Sequence, residues 1–342
     1  LGVKHPDELR AIIQGAKVGL VTYDFEPTRS IPVSGVRTPL KAITYLAQNC
    51  PVVSTLNSYV PTLDGHGSFK AEDTAHFVQL IGEVLHGTKK VDRAVVSQYL
   101  DQVEYDCLAD RILDKLGQHT AAVENHYPND PRPYVPANHP VLIVSNEEWN
   151  GPRYSKHRYA LALQKHRQVY FIDPASQWRM AHFFHWRVRA HTTPDGVIVL
   201  SYRNLIPLLG GKLAGINDRV IARRLRRYMQ RQNTNAPLFW SFDPARLLDP
   251  RRLGVLRSVY HCVDDHTNRR KEERILARNS NHVLCIAREL MERFVAYNDS
   301  VHFVPHGLSD ADFEGIPHTD QRLGSLGYGL YIGNINDRHD FA

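Results

Sequence analysis

The sequence lacks long apolar runs and the common motifs of metal and dinucleotide sites. No apolar run approaches the roughly 18 residues that cross a bilayer, and no charged segment followed by an apolar one marks a signal peptide. The nineteen histidines include no HExxH pattern, so a metal site gains no support. GxGxxG is also absent, so we expect no dinucleotide cofactor.

Cysteine is scarce and widely spaced. Cys50, Cys107, Cys262 and Cys285 form no CxxC pair, and each lies in or beside an apolar stretch. Buried free thiols in a reducing compartment fit this spacing better than disulfides or zinc ligands. We therefore expect a cytoplasmic protein.

Charge is nearly balanced except in one segment. The 42 basic and 36 acidic residues leave a net charge of +6, which suits anionic ligands and does not predict a nucleic-acid-binding protein. Arg219–Arg231 holds six arginines in thirteen positions, and Ile221, Leu225 and Met229 form one apolar stripe. Such a helix can lie on an anionic membrane surface at the inner face of the membrane. Alternatively, it packs its stripe on its own core and leaves the arginines in solvent.

Short β-branched runs alternate with helical patterns along most of the 342 residues, a length typical of about two domains. This alternation predicts an α/β fold with Rossmann-like, doubly wound parallel sheets. Residues 138–325 form one complete domain, because they contain seven strand candidates that look buried on both faces. The candidates are Val141–Ser145, Val169–Asp173, Val197–Ser201, Leu238–Phe242, Val259–Val263, His282–Ile286 and Val301–Val304.

The first part of the chain predicts only a partial domain. Residues 1–118 show two convincing strands, Val18–Tyr23 and Pro51–Thr55, which cannot cover their own edges. Residues 119–137 form a proline-rich linker. At the other end, residues 326–342 contain one more strand, with nothing after it to pair with.

Three places at the ends of predicted strands carry candidate residues in the longer part. Gly151, Arg153 and Arg158 precede or open a helix after the first strand, as in an anion site, or they form a capped surface turn. Asp264 follows another strand, where it would orient a sugar hydroxyl, act as a base, or cap the next helix. His306 and Gly307 follow the last strand, where glycine allows close approach of a ligand or makes a plain turn.

One candidate lies in the first part. Lys41 lies in the first turn of a predicted helix that is followed by a buried strand. A helix N-terminus and a lysine together can hold a diphosphate. The other interpretation is an ordinary helix start with an exposed lysine.

Taken together, several stretches resemble one family. Val141-Leu-Ile-Val-Ser145, Val259–Asp265, Val304-Pro-His-Gly-Leu308 and Tyr331–Arg338 resemble parts of the GT-B glycosyltransferases of the retaining, family-four type, closest to the teichuronic-acid-like subgroup. Val18–Tyr23 and Thr38–Thr55 resemble the later part of the donor-binding domain of that family.

The order of these parts is reversed relative to the family. A circular permutation would produce this order, but only three donor-domain strands are recognisable. We therefore expect a fragment of a tandem protein: the tail of one donor domain at 1–118, an acceptor-side domain at 138–325, and the first strand of a second donor domain at 326–342.

The resemblance implies transfer of a sugar from a nucleotide diphosphate sugar to a glycan or lipid-linked acceptor, with retention and without metal or other cofactor. It places Lys41, assisted by Arg37, on the diphosphate and Thr44 near the ribose, where the family has a glutamate. The resemblance also implies the remaining roles: Gly333 and Arg338 on the donor, Asp264 in catalysis, and Gly151, Arg153, Arg158, His306 and Gly307 on the acceptor side.

Two alternatives stay open at this stage. The missing acid at Thr44 is compatible with a non-catalytic binding or scaffolding module. A nucleotide-sugar epimerase would use the same fold and donor and need no acceptor.

Overall fold

The computed structural model describes residues 6–22, 40–55, 60–124, 139–175, 187–206, 214–234, 236–264, 266–309 and 328–331. The chain forms two compact units. The first unit comprises Leu1–Glu104 with Pro305–Ala342, and the second unit comprises Tyr105–Val304.

The helices and strands alternate through most of the described chain. The helices are α1 Pro6–Gly15, α2 Leu40–Ala47, α3 Thr74–Leu85, α4 Arg93–Val103, α5 Tyr105–Glu124, α6 Ser155–Gln164, α7 Ala214–Arg231, α8 Arg270–Asn279 and α9 Arg288–Phe294. The strands are β1 Val18–Val21, β2 Val52–Thr55, β3 Ser68–Ala71, β4 Val141–Val144, β5 Val169–Ile172, β6 Arg189–Thr192, β7 Ile198–Ser201, β8 Leu238–Ser241, β9 Arg257–Cys262, β10 His282–Cys285, β11 Val301–Phe303 and β12 Gly329–Tyr331.

The second unit is built on one eight-stranded sheet. Its strand order is β11-β10-β9-β8-β4-β5-β7-β6, and only the edge strand β6 runs antiparallel to its neighbour. The residues of β4, β5 and β8 are buried throughout, as expected for strands covered by helices on both faces. The order reverses between β4 and β8, so the crevice of a doubly wound sheet lies at their carboxyl ends.

All seven strand candidates of the longer part are confirmed, with ends within about two residues of prediction. The structure adds β6, whose four residues are all exposed. Strand β6 lies at the edge of the sheet and lacks the apolar pattern of a buried strand. The predicted α/β fold with doubly wound parallel sheets, one complete and one partial, is confirmed.

Helix α5 belongs to the second unit, although its sequence lies in the predicted first part. Tyr105, Leu108, Ile112 and Leu116 recur at helical spacing and are buried in the core of the second unit. The helix also continues to Glu124, inside the segment predicted as a linker. The two compact units divide at 104/105 and 304/305, and the domain boundaries expected from sequence stay predictions.

The first unit contains a four-stranded parallel sheet in the order β12-β1-β2-β3. Strand β12 pairs with β1, with Val18 opposite Gly329 and Leu20 opposite Tyr331. The strand expected in residues 326–342 is thus paired with a strand from the beginning of the chain, and β3 is a further strand that was not predicted. The assignment of residues 326–342 to a second donor domain stays a prediction.

Several hydrogen bonds fasten β12 to the beginning of the chain. The Lys17 amide donates to the Tyr328 carbonyl at 2.9 Å, and the Tyr328 hydroxyl donates to the Ile12 carbonyl at 2.7 Å. The buried Tyr45 hydroxyl donates to the Leu330 carbonyl at 2.8 Å. These bonds join residues from opposite ends of the sequence within one core.

The arginine-rich helix α7 packs its apolar stripe inward. Ile221, Leu225 and Met229 are at most 2% exposed, so they are not available to insert into a membrane. Arg223 and Arg227 are exposed. Any membrane contact by this apolar stripe is thus excluded, and the exposed arginines could attract an anionic surface only through electrostatic forces that salt screens.

Cysteine burial follows the sequence prediction in three of four cases. Cys50, Cys262 and Cys285 are buried free thiols, and Cys107 is half-buried. Burial raises the pKa of Cys50 and of Cys285 to about 12. These two thiols are therefore protonated and unreactive at neutral pH.

Candidate functional site

The carboxyl ends of β4, β5 and β8 are tied together by one buried arginine. Arg246 Nε donates to Asp243 Oδ2 at 2.7 Å, and its Nη2 donates to the Ser145 and Ile172 carbonyls. Its Nη1 donates to the Tyr202 hydroxyl at 2.6 Å, after β7. Arg246 therefore holds the ends of four neighbouring strands at the edge where the crevice opens.

The charge of Arg246 is balanced locally. Burial lowers the pKa of Arg246, but Tyr202 and Asp243 raise it by more, so the guanidinium stays charged. The side chains of Arg246 and Asp243 are only 11% and 9% exposed. Arg246 is thus a structural support of the crevice, and sequence reasoning missed it because an isolated arginine outside a motif carries no signal.

The loop from β4 to α6 is anchored on aromatic side chains. Trp149 is buried against Phe171, with ring centroids 4.9 Å apart, and its amide donates to Asp173 Oδ1 at 2.9 Å. Arg153, one of the predicted anion ligands, lies over the Trp149 ring at 4.4 Å. The predicted Gly151 makes a turn in this loop, with its amide donating to the Glu148 carbonyl at 3.1 Å.

Lys156 is a buried cation at the start of α6. It is 4% exposed, and its ammonium group donates to Asn146 Oδ1. Burial lowers the pKa of Lys156, while the charges of Glu147, Asp264 and Asp243 raise it. The sequence analysis selected Arg153 and Arg158 at this loop, yet Lys156 is more buried than either of them.

Asp264 follows β9 at the same edge of the sheet. Its side chain is exposed and forms no hydrogen bond with another residue in the described ranges. The next helical turn, Thr267–Arg269, has His266 at its N-cap, so Asp264 does not cap it. Because Asp264 raises the pKa of Lys156, the two groups are within electrostatic reach of each other.

His266, which lies two positions after Asp264, is a further candidate that the sequence analysis did not select. Its Nε2 is buried and has no hydrogen-bond partner among the residues that the structure describes. An unsatisfied buried ring nitrogen is costly unless a ligand pairs with it. His266 therefore joins Asp264 and Lys156 as a group that could contact a sugar hydroxyl.

The other predicted acceptor-side residues are placed differently. Arg158 is half-buried on α6, where its amide donates to the Tyr154 carbonyl at 3.2 Å. His306 and Gly307 fall in the first unit and not in the second. The second unit therefore brings together Gly151, Arg153, Lys156 and Asp264, without His306 and Gly307.

The first unit holds the predicted donor residues that are described. Lys41 lies in the first turn of α2, and its ammonium group is 5.0 Å from the centre of the Tyr331 ring in β12. Burial lowers the pKa of Lys41. Thr44 Oγ1 donates to the Leu40 carbonyl of its own helix at 2.8 Å. Arg37, Gly333 and Arg338 lie outside the described residues.

The described residues contain neither a metal-binding cluster nor a membrane-spanning helix. No group of three or more His, Cys, Asp or Glu side chains there is arranged to hold a metal ion. In the same ranges, each helix is too short or too polar to cross a membrane.

The stability of the α6 N-terminus should depend on pH through His157. Its Nδ1 accepts from the Tyr154 amide at 3.0 Å and its Nε2 lies 3.1 Å from the Glu148 carbonyl, which together fit the neutral ring. Burial lowers the pKa of His157 to about 4. The unfolded chain therefore binds the proton more tightly, and stability should fall by about 2 kcal/mol as pH drops from the unfolded value near 6.5 toward 4.

Urea unfolding at a series of pH values, followed by tryptophan fluorescence, measures this loss. His157→Gln keeps an acceptor for the Tyr154 amide and has no proton to gain, so its stability should change less over that window. Equal pH slopes for the two proteins would contradict the role of His157.

Comparisons with known proteins give weak matches only. No protein-family model and no curated protein matches the sequence. Two solved chains of sucrose-phosphate synthase from Thermosynechococcus elongatus match. The first is 12% identical over 51% of this chain and 92% of that chain, with a TM-score of 0.33. The second is 11% identical over 49% of this chain and 48% of that chain, with a TM-score of 0.34. Similarities this low identify neither a family nor an activity.

Proposed function

We propose that the protein is a GT-B glycosyltransferase that moves a sugar from a nucleotide diphosphate sugar to a glycan or lipid-linked acceptor. The observation that carries the proposal is the four-stranded sheet of the first unit. There Lys41 contacts Tyr331, and each of these two residues belongs to a stretch that resembles part of a donor-binding domain.

The donor diphosphate would bind at the N-terminus of α2. The unpaired amides of a helix N-terminus attract phosphate, and Lys41 adds a positive charge at the carboxyl edge of a parallel sheet. A bound diphosphate would favour the charged form of Lys41 and offset the effect of its burial. Arg37, Gly333 and Arg338 would complete this diphosphate site.

The acceptor would bind at the crevice of the second unit. Asp264 would accept a hydrogen bond from the attacking hydroxyl or serve as its base, and Lys156 would hold the charge of Asp264 in place. Gly151 and Arg153 would line the same loop. The acceptor-side roles of Arg158, His306 and Gly307 stay predictions from the sequence.

Transfer would be retaining and would need no divalent cation. Lys41 and the α2 N-terminus would stabilise the negative charge on the departing diphosphate, which is the work a metal does in other transferases.

A second function is favoured by Thr44 for the first unit alone. Its hydroxyl is already bonded to the Leu40 carbonyl, and it supplies no charge where a carboxylate would hold a ribose. A unit of this kind would bind nucleotide weakly and serve as a non-catalytic module. Nucleotide binding without measurable sugar transfer would support this second function.

Replacing Lys41 with glutamine should weaken binding of uridine diphosphate or guanosine diphosphate about tenfold or more, because a charge-assisted contact is lost. Titration calorimetry measures the dissociation constants. Lys90→Gln, at an exposed lysine of the same unit, makes the same change in charge and should leave binding unchanged. Equal binding by the Lys41 and Lys90 variants would remove Lys41 from the donor site.

A further inference from the structure

The second unit carries a basic cavity that the sequence did not indicate. A surface cavity of about 420 Å³ is lined by Arg187, Arg189, His191 and Arg203, together with Ser201 and Tyr202. It lies where β6 pairs with β7, with Arg189 directly opposite Ser201 at the carboxyl end of β7. The cavity is therefore on the same edge of the sheet as the crevice.

The three arginines are not neutralised by carboxylates in the described part of the chain. None of Arg187, Arg189 and Arg203 forms an ion pair there, and Arg203 Nη1 is buried without a hydrogen-bond partner among those residues. A buried guanidinium nitrogen without an acceptor is destabilising, and like charges around one cavity repel each other. An anion in the cavity would relieve both costs.

Two acids at this edge of the sheet have other partners. Burial raises the pKa of Asp173, nearby His191 offsets this in part, and the carboxylate accepts a hydrogen bond from the Trp149 amide. Asp243 is paired with Arg246. Neither carboxylate forms an ion pair with Arg187, Arg189 or Arg203 in the described part of the chain.

Charged residues on an edge strand have another known purpose, which is to prevent pairing with other chains. That purpose explains Arg189 and His191 on β6. It does not explain Arg203, which follows β7 and lines the same cavity with a buried nitrogen. Because arginines from two strands line the same cavity, binding of a ligand explains them better than protection of the sheet edge does.

The cavity is linked to the crevice through one side chain. Tyr202 lines the cavity, and its hydroxyl accepts a hydrogen bond from Arg246, which supports the ends of β4 and β5. Burial raises the pKa of Tyr202, so its hydroxyl stays protonated and can donate to an anion. A group bound here would thus be held against a rigid part of the sheet edge.

We propose that this cavity binds a phosphate group of the sugar acceptor. Guanidinium groups match phosphate oxygens with paired hydrogen bonds, and several of them suit a group with two negative charges. The identification of the ligand as an acceptor rests on the proposed function, and the anion site itself does not. The phosphate would belong either to a soluble sugar phosphate or to a polyprenyl phosphate in a membrane.

The test compares two double variants that lose the same charge. Arg189→Gln/Arg203→Gln removes two cavity arginines, and Arg223→Gln/Arg227→Gln removes two exposed arginines of α7. All titrations with inorganic pyrophosphate use full-length chain that also carries Lys41→Gln, so that the proposed donor site contributes little. We expect the cavity variant to bind about tenfold more weakly or worse and the α7 variant to bind within about twofold.

Equal losses in the two double variants, or no pyrophosphate binding before the arginines are changed, would overturn the proposal. Arg189→Lys/Arg203→Lys keeps the charge without the paired hydrogen bonds. Its affinity for pyrophosphate should lie between that of the unchanged cavity and that of Arg189→Gln/Arg203→Gln. Mannose 6-phosphate, and phosphatidylcholine vesicles with and without polyprenyl phosphate, then show which source of phosphate binds.

Uridine diphosphate titrated into the chain with Lys41 intact separates the two proposals. If uridine diphosphate binds but pyrophosphate does not bind in the cavity, only the inference about the acceptor is contradicted. Pyrophosphate binding in the cavity without any nucleotide binding would contradict the proposed transferase and the acceptor assignment that rests on it, and would leave the anion site itself supported.

Discussion

Replacing Arg246 with methionine is expected to lower the free energy of unfolding of the second unit by about 3–5 kcal/mol. The substitution removes every hydrogen bond that Arg246 donates to the ends of β4 and β5 and to Tyr202. It also leaves Asp243, which is 9% exposed, as a buried carboxylate without its cation. An uncompensated buried charge is the largest part of the expected cost.

Tryptophan fluorescence during urea unfolding measures this effect in the right part of the chain. All four tryptophans of the sequence, among them Trp149 and Trp240, belong to the second unit. Arg251→Met is the matched control, because Arg251 pairs with Asp249 while 73% exposed, and solvent screens such a pair so that its loss should change stability little. A cost for Arg246→Met no larger than that of Arg251→Met would show that the cluster does not support the crevice.

Replacing Gly19 with alanine is expected to destabilise the first unit by about 2–3 kcal/mol. An added Cβ would lie 2.5 Å from the Tyr45 ring, which is fully buried. Tyr45 cannot move aside without losing its hydrogen bond to the Leu330 carbonyl. The substitution is therefore expected to weaken the attachment of β12 to the rest of the sheet.

Hydrogen exchange of the β1 and β12 amides reports this change, and tryptophan fluorescence of the second unit should stay the same. Gly82→Ala is the matched control, because nothing lies within 4 Å of an added Cβ in the middle of α3. That control should stabilise the helix by about 0.5–1 kcal/mol. Unchanged protection of β12 in Gly19→Ala would contradict the packing described for Tyr45.

The buried strands of the second unit could be predicted because each is a run of β-branched or aromatic residues. Two other strands could not. The exposed strand β6 owes its conformation to pairing with β7, and β3 contains Lys70 and serine beside its apolar residues. In both, tertiary pairing outweighs a weak local pattern.

The pairing of β12 with β1 also lay beyond the sequence. A three-residue strand carries no information about its neighbour, and Gly329 and Val18 lie far apart in the chain. The break between α4 and α5 is of the same kind, since Glu104 adopts an extended conformation inside an otherwise helical pattern.

Some residues of the candidate site could be predicted from the sequence and others could not. Asp264 and the β4–α6 loop could be predicted, because parallel sheets place loops at the carboxyl ends of strands. Arg246 and Arg203 could not, because their roles come from strands that meet only in the folded sheet. The role of Lys156 depends on its burial, which the sequence does not reveal.

The central claim is that the two ends of the chain build one parallel sheet, and a disulfide tests it most directly. An added Cβ at Gly329 would lie 3.2 Å from Val18 Cγ1, which is close to the spacing between a β-carbon and the opposite sulfur of a disulfide. We predict that Val18→Cys/Gly329→Cys forms this bond under mild oxidation, identified by mass spectrometry of the linked peptides, and that neither single variant gives the same product. An oxidised double variant in which the two introduced thiols remain unlinked would contradict the shared sheet.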